Sequence, residues 1–584
     1  MNMKEEDKLV LSELIKLFKP YKWKMIVVII CITTSAGLSI LTPIVNQKLM
    51  DDGLISKNLK VIIEYSSCNL ILIVIIQGLG VIETKYRSYI ENLLSFNLEM
   101  NAFKHTLKMK MNFFLSTNYA EIMNDLTTDI RNISEIVNQN TFYTVTSIFR
   151  IVVGIIGLII IDWKLSILVL LITPIRYIIV KFLTRERKKL AKEYIQSYKN
   201  YSGWYGNTLA GIKEVKIWGL EILKIDQFIK KQRNIIKQHI KMEYLANANE
   251  ISQTVFSQII TTFIYIIGGY MIIGSNLTIG KLFAFITYSS YVTGPLFAIM
   301  NISYSFANVL PSAKRYFEFM SMETEDEIRN NGLSKLNSNE ILGSIEFENV
   351  EFSYNDKESV LKNISFKINA GEKVAIIGSN GSGKTTIINL ILRFLIPDSG
   401  SILLDGTDIN SLKLKDYRKL ISVVSQDVYL FNSSIKENIM LNSKKSDTEM
   451  YSAVRTSGAC GFIEEMPNKY ESIVGERGSK LSGGERQKIA MARAFIRDSK
   501  ILILDEATAN YDMEAEYHVN NIIRENYKDK TIIIISHKPD ILAKVDKIIV
   551  INHGVIEDIG THLDLYKRND FYKGMVNIPS DVFA

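Results

Sequence analysis

Residues 378–385 read GSNGSGKT and satisfy the pattern G-x-x-x-x-G-K-[ST]. Such a run can hold the phosphates of a nucleoside triphosphate. Gly378, Gly381 and Gly383 let backbone N–H groups curl around the oxygens, with Ser379, Asn380 and Ser382 between them. Lys384 supplies a cation to the β- and γ-phosphates, the Thr385 hydroxyl can hold Mg²⁺, and Thr386 continues the turn. A second cluster follows the apolar run Ile501-Leu502-Ile503-Leu504, which ends in Asp505-Glu506. The first carboxylate can enter the metal's shell, and the next can polarise a water for in-line attack. A third apolar run, 532–535, delivers Ser536-His537. Between these lies LSGGE, where Ser482, Gly483 and Gly484 open a helix and offer an anion site at its N-terminus. One chain would then carry two phosphate-binding devices far apart in sequence, and a dimer in which they face each other explains both.

These groups need a scaffold. The alternation Ile345-Glu346-Phe347-Glu348-Asn349-Val350 predicts a half-buried strand. Residues 373–377 predict a buried strand feeding the glycine-rich loop, and 387–395 an apolar helix leaving it. The ends of the apolar runs at 504 and 535 are the carboxyl ends of strands, where α/β proteins bind ligands.

The first half of the chain is different. Of 584 residues 47% are apolar, and the long Ile/Leu/Val runs fall before residue 304. We read six spans, 25–43, 61–82, 145–161, 165–183, 255–273 and 282–303, each able to cross about 30 Å of hydrocarbon. Spans three and four are separated only by Asp162, Trp163 and Lys164, a tight outer hairpin. Lys and Arg concentrate in the long loops after spans two and four, which places those loops and both termini in the cytoplasm. Helical periodicity continues through both loops, so they read as helices extended beyond the bilayer, with short caps near 113–121 and 207–219. Residues 9–18 read as an amphipathic helix on the inner membrane surface. The N-terminus has no signal-peptide pattern. Cys31, Cys68 and Cys460 show no metal or disulfide spacing. The net charge of +7 sits beside the apolar runs, which argues against nucleic acid as a partner.

The glycine-rich loop, LSGGERQ, LDEAT and His537 together are similar to the ATP-binding cassette (ABC) family. With six spans placed first, the chain resembles an exporter half-transporter over nearly its whole length. That resemblance implies an α-helical six-span transmembrane domain followed by an α/β P-loop (RecA-like) nucleotide-binding domain with antiparallel β and helical subdomains. The expected divisions are an interfacial helix (1–24), the membrane domain (25–321), a linker (322–343) and the ATPase domain (344–584). The resemblance implies ATP and Mg²⁺ as cofactors. Tyr354 would stack on adenine, and Gln426 would contact Mg²⁺ and the attacking water. Thr385 and Asp505 would complete the metal's protein ligands, Glu506 would be the general base and His537 the γ-phosphate switch. Ser482 and Gly484 would close over the partner's ATP, while 474–478 would touch the membrane domain and the two caps would act as coupling helices. The loop Ala509-Asn510-Tyr511-Asp512 keeps Asp512 but departs from the usual Ser-Ala-Leu-Asp.

The expected function is ATP-driven export of an amphipathic substrate, a mature peptide, drug or lipid, across the cytoplasmic membrane. The alternative is an ATP-gated channel or a sensory ABC protein that hydrolyses ATP without pumping. Because the membrane domain starts almost at once, an exporter that cleaves a peptide leader is disfavoured. An intact set of site elements favours a second copy of the chain as partner over a related half-transporter. Arg150 and Arg176 fall inside spans three and four. They either face an inward-open cavity, favouring an anionic substrate, or snorkel to the inner headgroups. Tyr265, Tyr288 and Tyr291 either add aromatic surface there or pack the helices.

Overall fold

The structure, a computed structural model, describes residues 5–116, 119–295, 309–325, 341–354, 359–441, 443–507, 527, 529–536 and 538–577. It divides into two compact units. The first is Met1–Leu107 with Asn118–Met322; the second is Glu323–Ala584 with the short segment Lys108–Thr117.

The first unit is helical. Its elements are α1 (Glu5–Phe18), α2 (Lys22–Lys48) and α3 (Leu59–Thr106). After α4 (Met111–Ser116), which belongs to the second unit, come α5 (Tyr119–Ser134), α6 (Gln139–Ile161) and α7 (Trp163–Ala210). Then follow α8 (Ile212–Ile217), α9 (Glu221–Ile273), α10 (Ile279–Thr293) and α11, residues 309–320. Among the described residues, five helical stretches are long and apolar enough to cross a membrane. α10 begins where a sixth span is expected, but 296–308 lie outside the described residues.

The extended helices are much longer than a bilayer requires. α3 and α7 each run for 48 residues, about 72 Å at 1.5 Å per residue. The hairpin between α6 and α7 is tighter than the sequence suggests: Asp162 alone is non-helical, and its carboxylate accepts the Leu165 N–H at 2.9 Å as the N-cap of α7. Leu70, Ile71, Ile73 and Val74 on α3 are exposed, as a lipid-facing surface should be. α6 and α10 approach closely because Gly154 and Gly157 leave room for Val292 and the Tyr288 ring; a Cβ at Gly157 would lie 2.8 Å from that ring.

The second unit holds two sheets. The antiparallel one has the order β2-β1-β4-β5, from β1 (Ile345–Ser353), β2 (Ser359–Ile368), β4 (Ser399–Leu404) and β5 (Thr407–Asp408). The larger has the order β10-β9-β3-β8-β7-β6. Its strands are β3 (Lys373–Gly378), β6 (Ile421–Val424), β7 (Ile501–Asp505), β8 (Thr531–Ile535), β9 (Lys547–Asn552) and β10 (Val555–Gly560). All its neighbours are parallel except the edge strand β10. Ile, Leu and Val fill most of β3, β7, β8 and β9, the pattern of strands covered on both faces. The unit's helices include α12 (Lys384–Ile391), α13 (Leu414–Lys419), α14 (Ile435–Met440), α15 (Asp447–Thr456), α16 (Cys460–Glu465) and α17 (Gly483–Phe495). The helix after the glycine-rich loop therefore starts three residues before the expected 387 and stops four before 395. Lys384 is already helical, and Arg393, at φ +53°, turns the chain out of the helix.

Candidate nucleotide site

β3 lies between β8 and β9, so its carboxyl end opens at the middle of the sheet. Gly378 ends the strand against its neighbour: a Cβ there would stand 2.1 Å from the Ile551 carbonyl oxygen. Gly383 takes φ +105° and would drive a Cβ to 2.5 Å from Leu361, so the loop needs glycine twice over. Gly383 is also the N-cap of α12, and no side chain caps that helix. Its first-turn N–H groups therefore remain open, with the positive end of the helix behind them.

Lys384 Nζ donates to the loop's own carbonyls, Gly378 O at 2.8 Å and Ser379 O at 3.0 Å. Burial pushes the Lys384 ammonium below the usual lysine range, while Glu506 and Asp505 work in the opposite direction. Ser382 Oγ is buried with no hydrogen-bond partner among the described residues. Among the described residues, phosphate oxygens fit this set: open N–H donors, a cation held by loop carbonyls, and a hydroxyl without a partner. Thr385 is exposed beside it, and Thr386 is buried with its hydroxyl 3.2 Å from Tyr354 Oη. The Tyr354 ring stands edge-on to Phe352 and remains 45% exposed, so a flat aromatic face is left beside the loop.

The carboxylates arrive from β7. Parallel pairing of Val424 with Leu504 carries Gln426 level with Glu506 just beyond the strands. Gln426 Nε2 donates to Glu506 Oε2 at 2.7 Å. Glu506 sits at φ +47°, a conformation a non-glycine residue seldom adopts, and its N–H donates to Ile535 O at 3.0 Å. Asp505 is pushed above the usual carboxylate range by burial and then by Glu506, with Lys384 pulling it down. Two adjoining acids with one nearby ammonium suit a divalent cation. Among the described residues no cluster of three or more His, Cys, Asp or Glu could hold a metal by itself, so such an ion would also need hydroxyl and phosphate oxygens.

Gln487, on α17, was not singled out by motif reading. It is buried, and its Nε2 donates to the Glu506 carbonyl at 3.5 Å. The signal lies in the LSGGERQ run itself, five residues beyond Ser482. Ser482 behaves differently from an open anion site. Its Oγ accepts the Glu485 N–H at 3.3 Å while Glu485 Oε2 accepts the Ser482 N–H at 2.7 Å, a reciprocal capping box. Residues 474–478 form a strained turn, with Gly475, Arg477 and Gly478 all at positive φ and Glu476 and Arg477 exposed. β8 delivers Ser536 to the same sheet edge. His537, Asp512 and the rest of the 509–512 loop lie outside the described residues.

The helical unit corrects one expectation. Arg176 is 1% exposed, and its guanidinium donates to the Thr293 carbonyl and, at 3.1 Å, to Gln253 Oε1. It ties α7 to α9 and α10 instead of facing a chamber, because a buried guanidinium needs acceptors more than it needs space. Arg150 is half-buried, and its Nε has no hydrogen-bond partner among the described residues. Tyr288 and Tyr291 pack the helices. Pro43 has no N–H to give the Ser39 carbonyl, and Tyr291 Oη reaches that oxygen at 3.3 Å while Tyr288 Oη reaches Ile40 O at 2.9 Å. Tyr265 is 47% exposed.

A family model for the ABC transporter transmembrane region matches residues 25–296, and one for the ABC transporter matches 361–509. An ATP-dependent lipid A-core flippase of Wigglesworthia glossinidia brevipalpis is 30% identical over 569 residues, spanning 97% of each chain. YgaD of Bacillus subtilis (strain 168), an ATP-binding/permease protein assigned provisionally to multidrug export, is 28% identical over 97% of this chain and 99% of its own. Among solved structures, a bacterial Atm1-family ABC exporter with ATP bound shares the fold at a TM-score of 0.79. It is 24% identical, with 95% of this chain and 97% of that one covered.

Proposed function

The chain belongs to the ABC transporter family, as an exporter in which a helical transmembrane region precedes an ATPase domain, and from that premise we propose how it works: two copies hydrolyse ATP to move an amphipathic lipid or drug outward across the cytoplasmic membrane, with both termini inside. Multi-pass membrane residence and ATP hydrolysis coupled to transport follow from the family. The substrate class draws on relatives named for a lipid and for drugs. With Arg176 committed inside the bundle, only Arg150 still favours an anionic group on that substrate.

One observation carries the catalytic reading: Gln426 holds the Glu506 carboxylate at 2.7 Å, at the strand ends beside the uncapped α12. In this reading the open N–H groups and Lys384 bind the phosphates, and the ammonium exchanges its loop carbonyls for them. Tyr354 covers the base. Glu506 accepts the proton of the attacking water, and Gln426 fixes which carboxylate oxygen faces it. Thr385, Gln426 and Asp505 would hold Mg²⁺, which neutralises phosphate charge when bound. Ser482, Gly483 and Gly484 would meet the nucleotide of the second copy, and His537 and Asp512 would complete the site. ATPase measurement on the chain alone in lipid nanodiscs, with Glu506→Gln beside it, tests this. Loss of turnover with retained ATP binding supports Glu506 as the base; near wild-type turnover refutes it. An inactive monomer as the only product of purification would refute the homodimer.

A further inference from the structure

Two stretches of the second unit continue from helices of the first: 108–110 follows α3, and 323–325 follows α11. The second unit pairs them. Met109 and Thr324, both buried, form an isolated antiparallel bridge, and the Glu325 N–H donates to Lys108 O at 2.8 Å. Lys110 Nζ reaches Glu323 Oε2 at 2.5 Å, but with the glutamate 72% exposed that pair adds little.

The Glu325 carboxylate is held more firmly. Arg418, on α13, grips it with both arms, Nη1 to Oε2 at 2.8 Å and Nη2 to Oε1 at 3.0 Å. Both side chains are less than a third exposed. The same guanidinium donates through Nε to Leu392 O and through Nη2 to Arg393 O, each at 3.1 Å, and lies 4.8 Å over the Phe394 ring. Leu392 is the C-cap of α12. Arg418 therefore binds the tail of the helix whose head carries the phosphate loop. Three residues later β6 begins, and it leads to Gln426. A bidentate ion pair of this kind fixes orientation as well as distance.

We propose that Arg418 and Glu325 are positioning residues that make the linker 323–325, and through it segment 108–116, follow α12 when nucleotide binds. This rests on the ATPase reading of the site. A rigid path runs from the loop at the head of α12, along the helix to its capped tail, across the guanidinium to Glu325, and through its N–H to Lys108. Neither residue belongs to the phosphate loop or to the acid pair of the site. Their role is to let both chain crossings register the state of the site.

The test uses the full chain in lipid nanodiscs as wild type, Glu325→Gln, Arg418→Gln and Arg418→Lys. ATPase is measured over a range of ATP, with hydrogen exchange of 105–116 and 319–325 followed without nucleotide and with ATP plus vanadate. In the wild type, nucleotide slows exchange in both segments by at least threefold. Glu325→Gln removes that slowing and lowers kcat about three- to tenfold, with KM for ATP and Tm near wild type. Arg418→Gln does the same and raises KM severalfold, because α12 loses its tail contacts; Arg418→Lys recovers part of the slowing. Slowing that persists in Glu325→Gln overturns the proposal, as does a loss of Tm in parallel with kcat, which marks a merely structural brace. A wild type that hydrolyses ATP without any slowing in 105–116 also overturns it, whereas a wild type without ATPase activity defeats the reading of the site itself.

Discussion

Two helices of the ATPase domain begin in glycine-rich turns, and their ends are opposite in character. α12 starts at Gly383 with no side-chain cap among the described residues, and Lys384 beside it is bonded to loop carbonyls. α17 starts at Ser482 in a complete capping box with Glu485. The first end lacks a partner that only an anion supplies. The second is self-sufficient in a single chain, and a phosphate arriving there must share donors that Glu485 already engages. A glycine-rich helix start is thus not one device but two, separated by whether the third helical residue is an acid. Thr386 stands at the same place in α12 that Glu485 holds in α17.

The contrast can be broken hardest at the open end. Gly383→Ala puts a Cβ at a positive φ and 2.5 Å from Leu361. ATP binding should weaken by about a hundredfold or more, read by nucleotide titration, with ATPase falling alongside. Lys384→Met removes the cation and should lower turnover on the order of a hundredfold, comparable to losing a preorganised electrostatic donor. At the closed end Ser482→Ala removes a cap and should cost about 1 kcal/mol of domain stability. Its ATP binding in the isolated protomer should be unchanged. If the turn meets the second copy's nucleotide, turnover falls about tenfold; unchanged turnover would leave Ser482 a cap and nothing more.

The acids beside the open end give a smaller, pH-dependent sign. Burial and Glu506 raise Asp505, so the folded protein holds that proton more tightly than the unfolded chain. Stability from Asp505 is then complete below its unfolded pKa, about 4, and is lost as pH rises through the raised folded value. Asp505→Asn should therefore raise Tm of the nucleotide-free protein at neutral pH relative to wild type, and the gain should shrink in acid. A gain that is the same at every pH would contradict this. The smallest effect belongs to Lys110→Ala, whose exposed pair should leave the denaturant midpoint unchanged.

Much of this site was legible because its elements are local. A strand, a glycine loop and a helix within twenty residues declare themselves by composition. Resemblance gave Gln426 and Glu506 separate roles but not their contact, which depends on which strands are neighbours, and β6 beside β7 is a property of the sheet order. The end of α12 was misjudged because apolar periodicity continues through Leu395, while Arg393 and the Arg418 guanidinium close the helix earlier. Arg176 shows the same limit. Its depth in the span was readable, but its acceptors come from α9 and α10, more than seventy residues away. Lys108–Thr117 reads as part of a helical hairpin by sequence and packs with the ATPase domain by contact.

The one-residue joint at Asp162 has a mechanical consequence. It leaves no slack between α6 and α7, so any tilt of α7 must pivot at Asp162. Pro174 is the weak point along the helix, and from there to Ala210 it measures about 54 Å. A bend of about 5° at that point sweeps the far end by about 5 Å, roughly the width of a helical turn. Any stroke delivered to α8 would therefore be set by leverage: a change too small to disturb packing near the hairpin would become, at the other end, a displacement as large as a side chain.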